Sequence, residues 1–372
     1  MGWNYAQPVE ILFKTGGIAE IGTLCEMRGW LRGILVCDPF FVQNGLAETV
    51  CTHANGRIVK VYSDITPNPR VGEVDAVADL LRETGADFAV ALGGGSAIDC
   101  AKTAAAVAAG NKPVAAYHTG SEPLPGKSVP LIAAPSTAGT GSEVTCVAVL
   151  TDGKKGVKSP LMHRNLYPKT AIIDPALTLS LPPAVTASTG LDALSHALEA
   201  FWSRGHQPIC DALALAAARL VFEYLPRVYK NGADLEAREK MSEASVLAGL
   251  AFSLPKTAAA HAISFPLTHI YGMPHGEACA FTLDSLCTIN APAEGGRLDI
   301  FARELGFTNA GDMGEAITGL KRQTGMRLTL GEAGIQPESL PELCRLSRHP
   351  NLDNNPVSLD DSALMALFSS KC

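Results

Sequence analysis

From Gly33 to Asp174, short runs of apolar and β-branched residues alternate with alanine-rich stretches of helical length. That alternation is the pattern of βαβ units around a parallel sheet, whose strands are covered on both faces and so read as near-continuous apolar runs. Residues 33–37, 57–62, 87–92, 129–134 and 170–174 are predicted as strands, and residues 72–84 and 97–109 as helices between them. After Pro182-Pro183 the pattern changes: 184–202, 208–224 and 234–252 read as successive helices, with almost no strand-like run. Residues 294–372 also read as helical, with loops near Gly295-Gly296, Gly325 and 351–356. The expected fold is therefore α/β plus all-α, with a doubly wound, Rossmann-like parallel-sheet domain over 1–180 and a helical domain over 181–372.

Length agrees with two domains, since 372 residues is more than one core usually holds. Hydrophobic residues make up 47% and charged residues 18%, so the chain has ample apolar surface to bury. The net charge is −7 and no Lys/Arg block stands out, which argues against nucleic acid or an anionic membrane and for a small-molecule partner. The first residues lack a basic segment followed by an apolar one, and Ala6 stands where a myristoylation motif needs Ser or Thr. No apolar run reaches the ~18 residues of a membrane span. Ten cysteines are scattered without a CxxC pair, as expected for free thiols in a reducing cytoplasm.

Two polar loops follow predicted strands. Gly93-Gly94-Gly95-Ser96 leads into a predicted helix, so its backbone N–H groups can approach a pyrophosphate at a helix N-terminus. The hydroxyl-rich run Ser136-Thr137-Ala138-Gly139-Thr140-Gly141-Ser142-Glu143-Val144-Thr145 can reach a phosphate, ribose or amide, or can cap the next element. Asp38 closes the first predicted sheet strand, where a carboxylate suits an adenosine ribose and repels a 2′-phosphate; a turn before Pro39 would use the same residue. The first use favours NAD over NADP.

In the second half, Asp192 and His196 lie four residues apart in a predicted helix, on one face and within reach of a single cation. His261 and His275 follow in apolar, small-residue surroundings. One carboxylate and three imidazoles suit iron(II) or zinc, and ligand type does not choose between them. His53, His118, His163 and His349 carry no such context.

The ordered set of these motifs resembles the iron-containing, group III metal-dependent alcohol dehydrogenases over nearly the whole chain. The residues carrying the resemblance are Gly93-Gly94-Gly95-Ser96-Ala97-Ile98-Asp99 with Ala101-Lys102, the 135–143 loop, Gly190-Leu191-Asp192-Ala193-Leu194-Ser195-His196-Ala197-Leu198-Glu199, His261 and Pro274-His275-Gly276. The resemblance implies a Rossmann-like domain and a helical domain with the active site in the cleft between them. It implies a divalent metal on Asp192, His196, His261 and His275, which are also the catalytic set. It further implies that Asp38, Asn68, Gly94, Gly95, Ser96, Asp99, Ser136, Thr137, Thr140, Thr145 and Lys158 line NAD(H). Family habit implies a homo-oligomer, a dimer or larger.

Two departures bear on substrate and proton. The family usually carries a second His four residues after the ligand matching His261, and this chain has Phe265, so no imidazole relay stands there. His269 is a substitute only if a helix joins it to His261, and Pro266 is expected to interrupt one. Before His261 stands Leu254-Pro255-Lys256-Thr257, where the family commonly has small neutral residues. Members acting on phosphonate- or sulfonate-bearing aldehydes are similar in this stretch, so Lys256 either meets an anionic substrate or stays solvated. The expected function is a metal-dependent NAD(H) alcohol dehydrogenase or aldehyde reductase for a short primary alcohol and its aldehyde, phosphonoacetaldehyde or sulfoacetaldehyde being candidates, with Lys256 and Phe265 at the substrate. The alternative is an NAD- and metal-dependent lyase or cyclase resembling dehydroquinate synthase.

Overall fold

A computed structural model describes residues 2–153 and 157–372. The chain forms two compact units, one of Ala6–Thr137 and Gly141–Thr178, the other of Ala138–Thr140 and Leu179–Cys372 with the residues before Ala6.

The first unit is built on the strands β1 (Glu10–Phe13), β2 (Gly33–Cys37), β3 (Ile58–Tyr62), β4 (Phe88–Gly93), β5 (Leu131–Pro135), β6 (Val147–Asp152), β7 (Val157–Met162) and β8 (Thr170–Ile173). Six of them form one sheet in the order β1-β8-β5-β4-β2-β3, and every described pairing in it is parallel. β6 and β7 make a separate antiparallel pair. The helices of this unit are α1 (Ile21–Arg28), α2 (Pro39–Gln43), α3 (Leu46–His53), α4 (Val71–Thr84), α5 (Gly95–Val107) and α6 (Val114–His118).

Side chains alternate across the sheet, and each set has its own core. Ile34, Val36, Ala89, Ala91 and Ala133 pack with Val74, Val77, Ile98 and Ala101 of α4 and α5. Leu35, Cys37, Val90, Leu92 and Ile132 pack with Ile21, Cys25 and Val50 of α1 and α3. This two-sided cover explains why β2, β4, β5 and β8 are buried along their whole length. The outer strands differ, since β3 exposes Val59, Lys60 and Val61, a charge-bearing edge that discourages further pairing.

The direction of sheet growth reverses between β2 and β4: β3 lies on one side of β2, and β4, β5 and β8 on the other. Ligands of open α/β sheets bind beyond the carboxyl ends of the strands at such a reversal. Asp38 and the Gly93-Gly94-Gly95 turn stand there.

The second unit is helical among the described residues, with α7 (Pro183–Trp202), α8 (Pro208–Lys230), α9 (Leu235–Phe252), α10 (Ala259–His269), α11 (His275–Phe281), α12 (Leu283–Asn290), α13 (Arg297–Glu304), α14 (Ala310–Gln323), α15 (Leu340–Leu346) and α16 (Asp361–Ser369). α7 runs through its middle, buried on every side from Leu191 to Trp202. A helix buried all round belongs inside a bundle, and α8, α9 and α11 pack on it. Gly190 permits the approach of α8, because a Cβ there would stand 2.5 Å from Leu225 Cδ1.

One expectation is corrected. α10 passes through Pro266 without a break. The proline removes the ladder bond to the Ala262 carbonyl, yet the bonds flanking it, Ala262 N–H to Ala258 and Ile270 N–H to Pro266, hold at 3.1 and 3.0 Å. His269 lies exposed at the far end, two turns or about 12 Å along the axis from His261, so the helix itself carries it away. The loops expected near residues 295 and 351–356 contain short 3₁₀ turns, Ala293–Gly296 and Pro350–Asn354.

Candidate active site

Asp192 and His196 occupy one face of α7, their Oδ1 and Nε2 atoms 4.0 Å apart. α10 brings His261 to the same point, with Nε2 3.0 Å from His196 Nε2 and 3.8 Å from Asp192 Oδ1. α11 begins at His275, whose ring stands edge-on to that of His261 with centroids 5.6 Å apart. The four residues expected to share a cation are thus brought together.

The approach of α11 depends on Gly276. A Cβ at this position would lie 1.9 Å from the Ser188 carbonyl oxygen and 2.8 Å from Asp192 Cβ, so only glycine lets the start of α11 press against α7. The Glu277 N–H then donates to Ser188 Oγ at 3.2 Å. On its outer side Glu277 receives Arg327 through both carboxylate oxygens, at 2.7 and 2.8 Å, which fixes the helix from behind.

Each imidazole is oriented by its other nitrogen. His196 Nδ1 faces the Gly139 carbonyl at 3.2 Å. His261 Nδ1 faces Glu199 Oε2 at 2.5 Å, while Glu199 Oε1 accepts from the backbone N–H of Ala260 at 2.6 Å. With Nδ1 as donor, Nε2 of each ring in its neutral form presents its lone pair to the cluster, the arrangement found behind metal-binding histidines. Glu199 was not among the expected site residues. Its sequence signal is its spacing, seven residues after Asp192 on the same helical face, and the structure buries it fully.

Burial lifts the Asp192 carboxyl to about 7, with Glu199 adding to the rise and His261 and Cys279 opposing it. Burial and the neighbouring His261 and His275 hold His196 well below its ordinary pKa, as a neutral ring. Burial also works against charge on His261, but Cys279 and Glu199 outweigh it and raise that ring's pKa well above the usual value. Asp192 Oδ1 is buried and has no hydrogen-bond partner in the protein. An orphaned carboxylate oxygen beside imidazole lone pairs is a donor set for a divalent cation, which would remove both penalties at once.

The residues expected at the dinucleotide fall into three groups. Asp38 Oδ2 accepts the Gly94 N–H at 3.0 Å across the sheet reversal, and burial raises its pKa against that bond. Gly93 must be glycine for this, since its Cβ would meet Asp38 Oδ2 at 2.5 Å and Ala97 Cβ at 2.6 Å. Gly94 and Gly95 open α5, which no side chain caps, and Thr137 stands beside Gly94. Ser136 is buried next to them, its N–H on the Gly93 carbonyl at 2.9 Å.

In a second group, Ser96 Oγ accepts the Asn68 N–H at 3.1 Å and Lys158 Nζ donates to Asn68 Oδ1 at 2.6 Å. In a third, Asp99 is turned inward: its oxygens accept from Ser142 Oγ at 2.5 Å and Val149 N–H at 2.8 Å. Thr145 is buried with it, and the buried Lys102 Nζ donates to the Ser142 and Val147 carbonyls at 2.9 and 2.5 Å. Asp99 and Thr145 thus brace the hydroxyl-rich loop from inside. Thr140 lies in the short Ala138–Thr140 segment grouped with the helical unit.

Near His261, Lys256 is exposed and has a left-handed backbone with φ +67°. Its N–H donates to the Phe252 carbonyl at 2.8 Å. Its neighbours are tied down as well: Asn354 Nδ2 donates to the Pro255 and Thr257 carbonyls at 2.8 and 3.1 Å, and Asn351 Nδ2 to Thr257 Oγ1 at 2.8 Å. Phe265 packs its ring on His349, centroids 4.5 Å apart. His349, set aside on sequence grounds, therefore lies beside the position where a relay histidine is missing, 84 residues away in the chain.

Both halves of the chain match family models: residues 8–175 match "Iron-containing alcohol dehydrogenase" and residues 186–372 match "Fe-containing alcohol dehydrogenase family, C-terminal". The chain belongs to the iron-containing alcohol dehydrogenase family. It is 33% identical over 352 residues to the NAD-dependent methanol dehydrogenase of Bacillus methanolicus, covering 92% of each chain. It is 32% identical to the 1,3-propanediol dehydrogenase of Citrobacter freundii, covering 98% of each. Among solved structures it resembles the sulfoacetaldehyde reductase of Bifidobacterium kashiwanohense in complex with NAD+, at 50% identity and a TM-score of 0.98, covering 100% of this chain and 99% of that one. The protein is accordingly an NAD(H)- and metal-dependent oxidoreductase acting on a CH–OH group.

Proposed function

We propose that this enzyme interconverts a short aldehyde bearing an anionic group, such as a sulfonate or phosphonate, with its primary alcohol. The observation that carries the substrate reading is the backbone of Lys256, pinned in the left-handed region five residues before His261 by the bonds of Asn351 and Asn354 to its neighbours. A solvated lysine gains nothing from such a conformation, whereas one whose ammonium must meet a fixed anion does. The similarity to a sulfoacetaldehyde reductase at 50% identity points the same way.

Asp192, His196, His261 and His275 hold the divalent metal, iron(II) or zinc, with Glu199 and the Gly139 carbonyl setting the ring tautomers. When bound, the cation supplies Lewis-acid polarisation of the substrate's C–O oxygen. Gly94, Gly95, Ser96, Ser136, Thr137, Asn68, Thr140 and Lys158 contact the dinucleotide, Asp38 fixes the turn that receives it, and Asp99 and Thr145 support the loop from behind. Hydride transfer requires the nicotinamide C4 to meet the carbon of the bound substrate, so the chain's work is placement. Phe265 holds no proton and closes the apolar side of the substrate, so no imidazole of α10 relays the proton at that position. We further assign the enzyme to the cytoplasm as a homo-oligomer, with its ten unpaired thiols in keeping with a reducing compartment. No described helix is long and apolar enough to cross a membrane. Alcohol dehydrogenase models matching both halves disfavour the lyase reading.

Steady-state reduction of sulfoacetaldehyde, phosphonoacetaldehyde and propanal with NADH tests the substrate class. Loss of a charge-assisted contact of about 1.5–3 kcal/mol in Lys256→Ala raises KM for the two anions at least about tenfold and leaves propanal unchanged. Equal efficiency on propanal and the anions in the unmodified enzyme overturns it.

A further inference from the structure

The cluster at α7, α10 and α11 contains a donor that neither the carboxylate nor the imidazoles account for. Cys279 lies one turn after His275 on α11, its Sγ 3.7 Å from His275 Nε2 and 3.9 Å from Nδ1. One donor atom each from Asp192, His261, His275 and Cys279 lies within 4.8 Å of all the others. Five ligands held 2.0–2.3 Å from a common cation stand roughly 2.8–4.6 Å apart, so these separations need only a small contraction. The thiol is buried and makes its polar contacts with His275 inside the cluster, unlike one that merely fills space as a small apolar group. Asp192 Oδ1, orphaned in the same pocket, supplies the independent sign that something positive belongs there.

We propose that Cys279 is a ligand of the metal, binding as thiolate through Sγ beside Asp192 and the histidines. This rests on the reading that the cluster holds a cation. The thiol proton passes to solvent as the metal–sulfur bond forms, and no redox change is involved. The same pressing of Gly276 against Ser188 that delivers His275 also delivers Cys279, because residues four apart share a helical face. A thiolate makes the site softer than one of carboxylate and imidazole alone, and shifts its preference toward zinc.

X-ray absorption at the zinc edge of the zinc-loaded full-length protein decides the matter without reference to turnover. The expected spectrum contains a sulfur scatterer at about 2.3 Å, together with nitrogen and oxygen at about 2.0–2.2 Å. The cobalt(II)-loaded protein shows a sulfur-to-metal charge-transfer band. Both features vanish in Cys279→Ser and Cys279→Ala, and zinc affinity falls roughly 10- to 100-fold or more. Bound zinc with nitrogen and oxygen neighbours only, in the unmodified protein, overturns the role of Cys279 and leaves the metal site standing. A protein that binds no stoichiometric metal overturns the underlying reading as well. Since the unmodified protein alone gives the deciding spectrum, a variant that fails to fold does not rescue the proposal.

Discussion

Glu199 holds His261 at two points, accepting the Nδ1 proton at 2.5 Å with one oxygen and the backbone N–H at 3.3 Å with the other. The carboxylate thereby fixes both the tautomer of the ring and the first turn of the helix that carries it. Glu199→Gln has one acceptor oxygen and cannot accept in both places; with that oxygen kept on the backbone N–H, its NH2 faces Nδ1 and would force the proton onto Nε2. Metal retained after dialysis is expected to fall roughly 10- to 100-fold in affinity, with activity restored by added metal. Full retention of metal in the variant would show that Glu199 supports packing only.

Gly276→Ala places a methyl 1.9 Å from the Ser188 carbonyl, a backbone atom that cannot step aside. α11 must move away from α7, taking His275 with it. The expected loss is at least about 1–3 kcal/mol of stability and most of the bound metal. NAD+ titration by calorimetry should still show binding, because the Gly93-Gly94-Gly95 turn lies in the other unit and is untouched; loss of nucleotide and metal together would mean the whole fold had failed.

Lys256→Gly separates strain from recognition. A non-glycine residue in the left-handed region costs roughly 1–2 kcal/mol, more than the ~0.5–1 kcal/mol of chain entropy that glycine forfeits. Thermal unfolding should therefore occur at the same or a higher temperature, while KM for an anionic aldehyde rises. A clear drop in melting temperature would place the lysine's value in the fold.

Asp284 is buried between two lysines, 2.7 Å from Lys371 Nζ and 3.0 Å from Lys321 Nζ. Burial pushes its pKa up, but Lys321 and Lys371 outweigh this and hold it below 3.8. A depressed carboxylate contributes stability that is present above its unfolded-state pKa and lost as pH falls through the lower folded-state value. Asp284→Asn should thus cost about 3–5 kcal/mol at neutral pH by leaving two buried ammonium groups unpaired. The gap in denaturant midpoints from the unmodified protein should close only in strong acid. A gap that stayed constant down to that range would rule the ion cluster out as its origin.

Glu143 presents the opposite sign. Burial lifts it to about 7, against an ordinary value of 4.5. A raised carboxyl contributes stability that is present below its unfolded-state pKa and is lost as pH rises through the folded one. Between pH 4.5 and 7 the native protein should lose up to about 3 kcal/mol relative to Glu143→Gln. Parallel melting curves for the two proteins across that range would show that Glu143 is not buried in this way.

Much of this molecule is legible in its sequence, for identifiable reasons. β2, β4, β5 and β8 are covered on both faces and so appear as apolar runs, and α7 to α9 are long enough for their period to show. β1 was missed because it is four residues long and half-exposed at the sheet's edge, and the β6–β7 pair because its alternation is that of an ordinary surface ribbon. The i,i+4 spacing of Asp192 and His196 announces their shared face, but nothing local in the chain announces that Gly139 approaches His196, or that His349 covers Phe265. Such pairings arise from packing between distant segments. Cys279 and Glu199 lay within reach of helical periodicity and were hidden only by the ordinariness of a buried cysteine and a helical glutamate.

The order of strands carries a consequence for biosynthesis. Among the described residues β1 pairs only with β8, so Glu10 must wait for Thr170 before it finds its neighbour. At roughly 5–20 residues per second the ribosome takes about 8–30 s to cover that interval. Throughout it the nascent strand keeps its amide and carbonyl groups unpaired, an invitation to join some other chain's edge. Crowded overexpression should punish this protein more through that delay than through any weakness of its finished core.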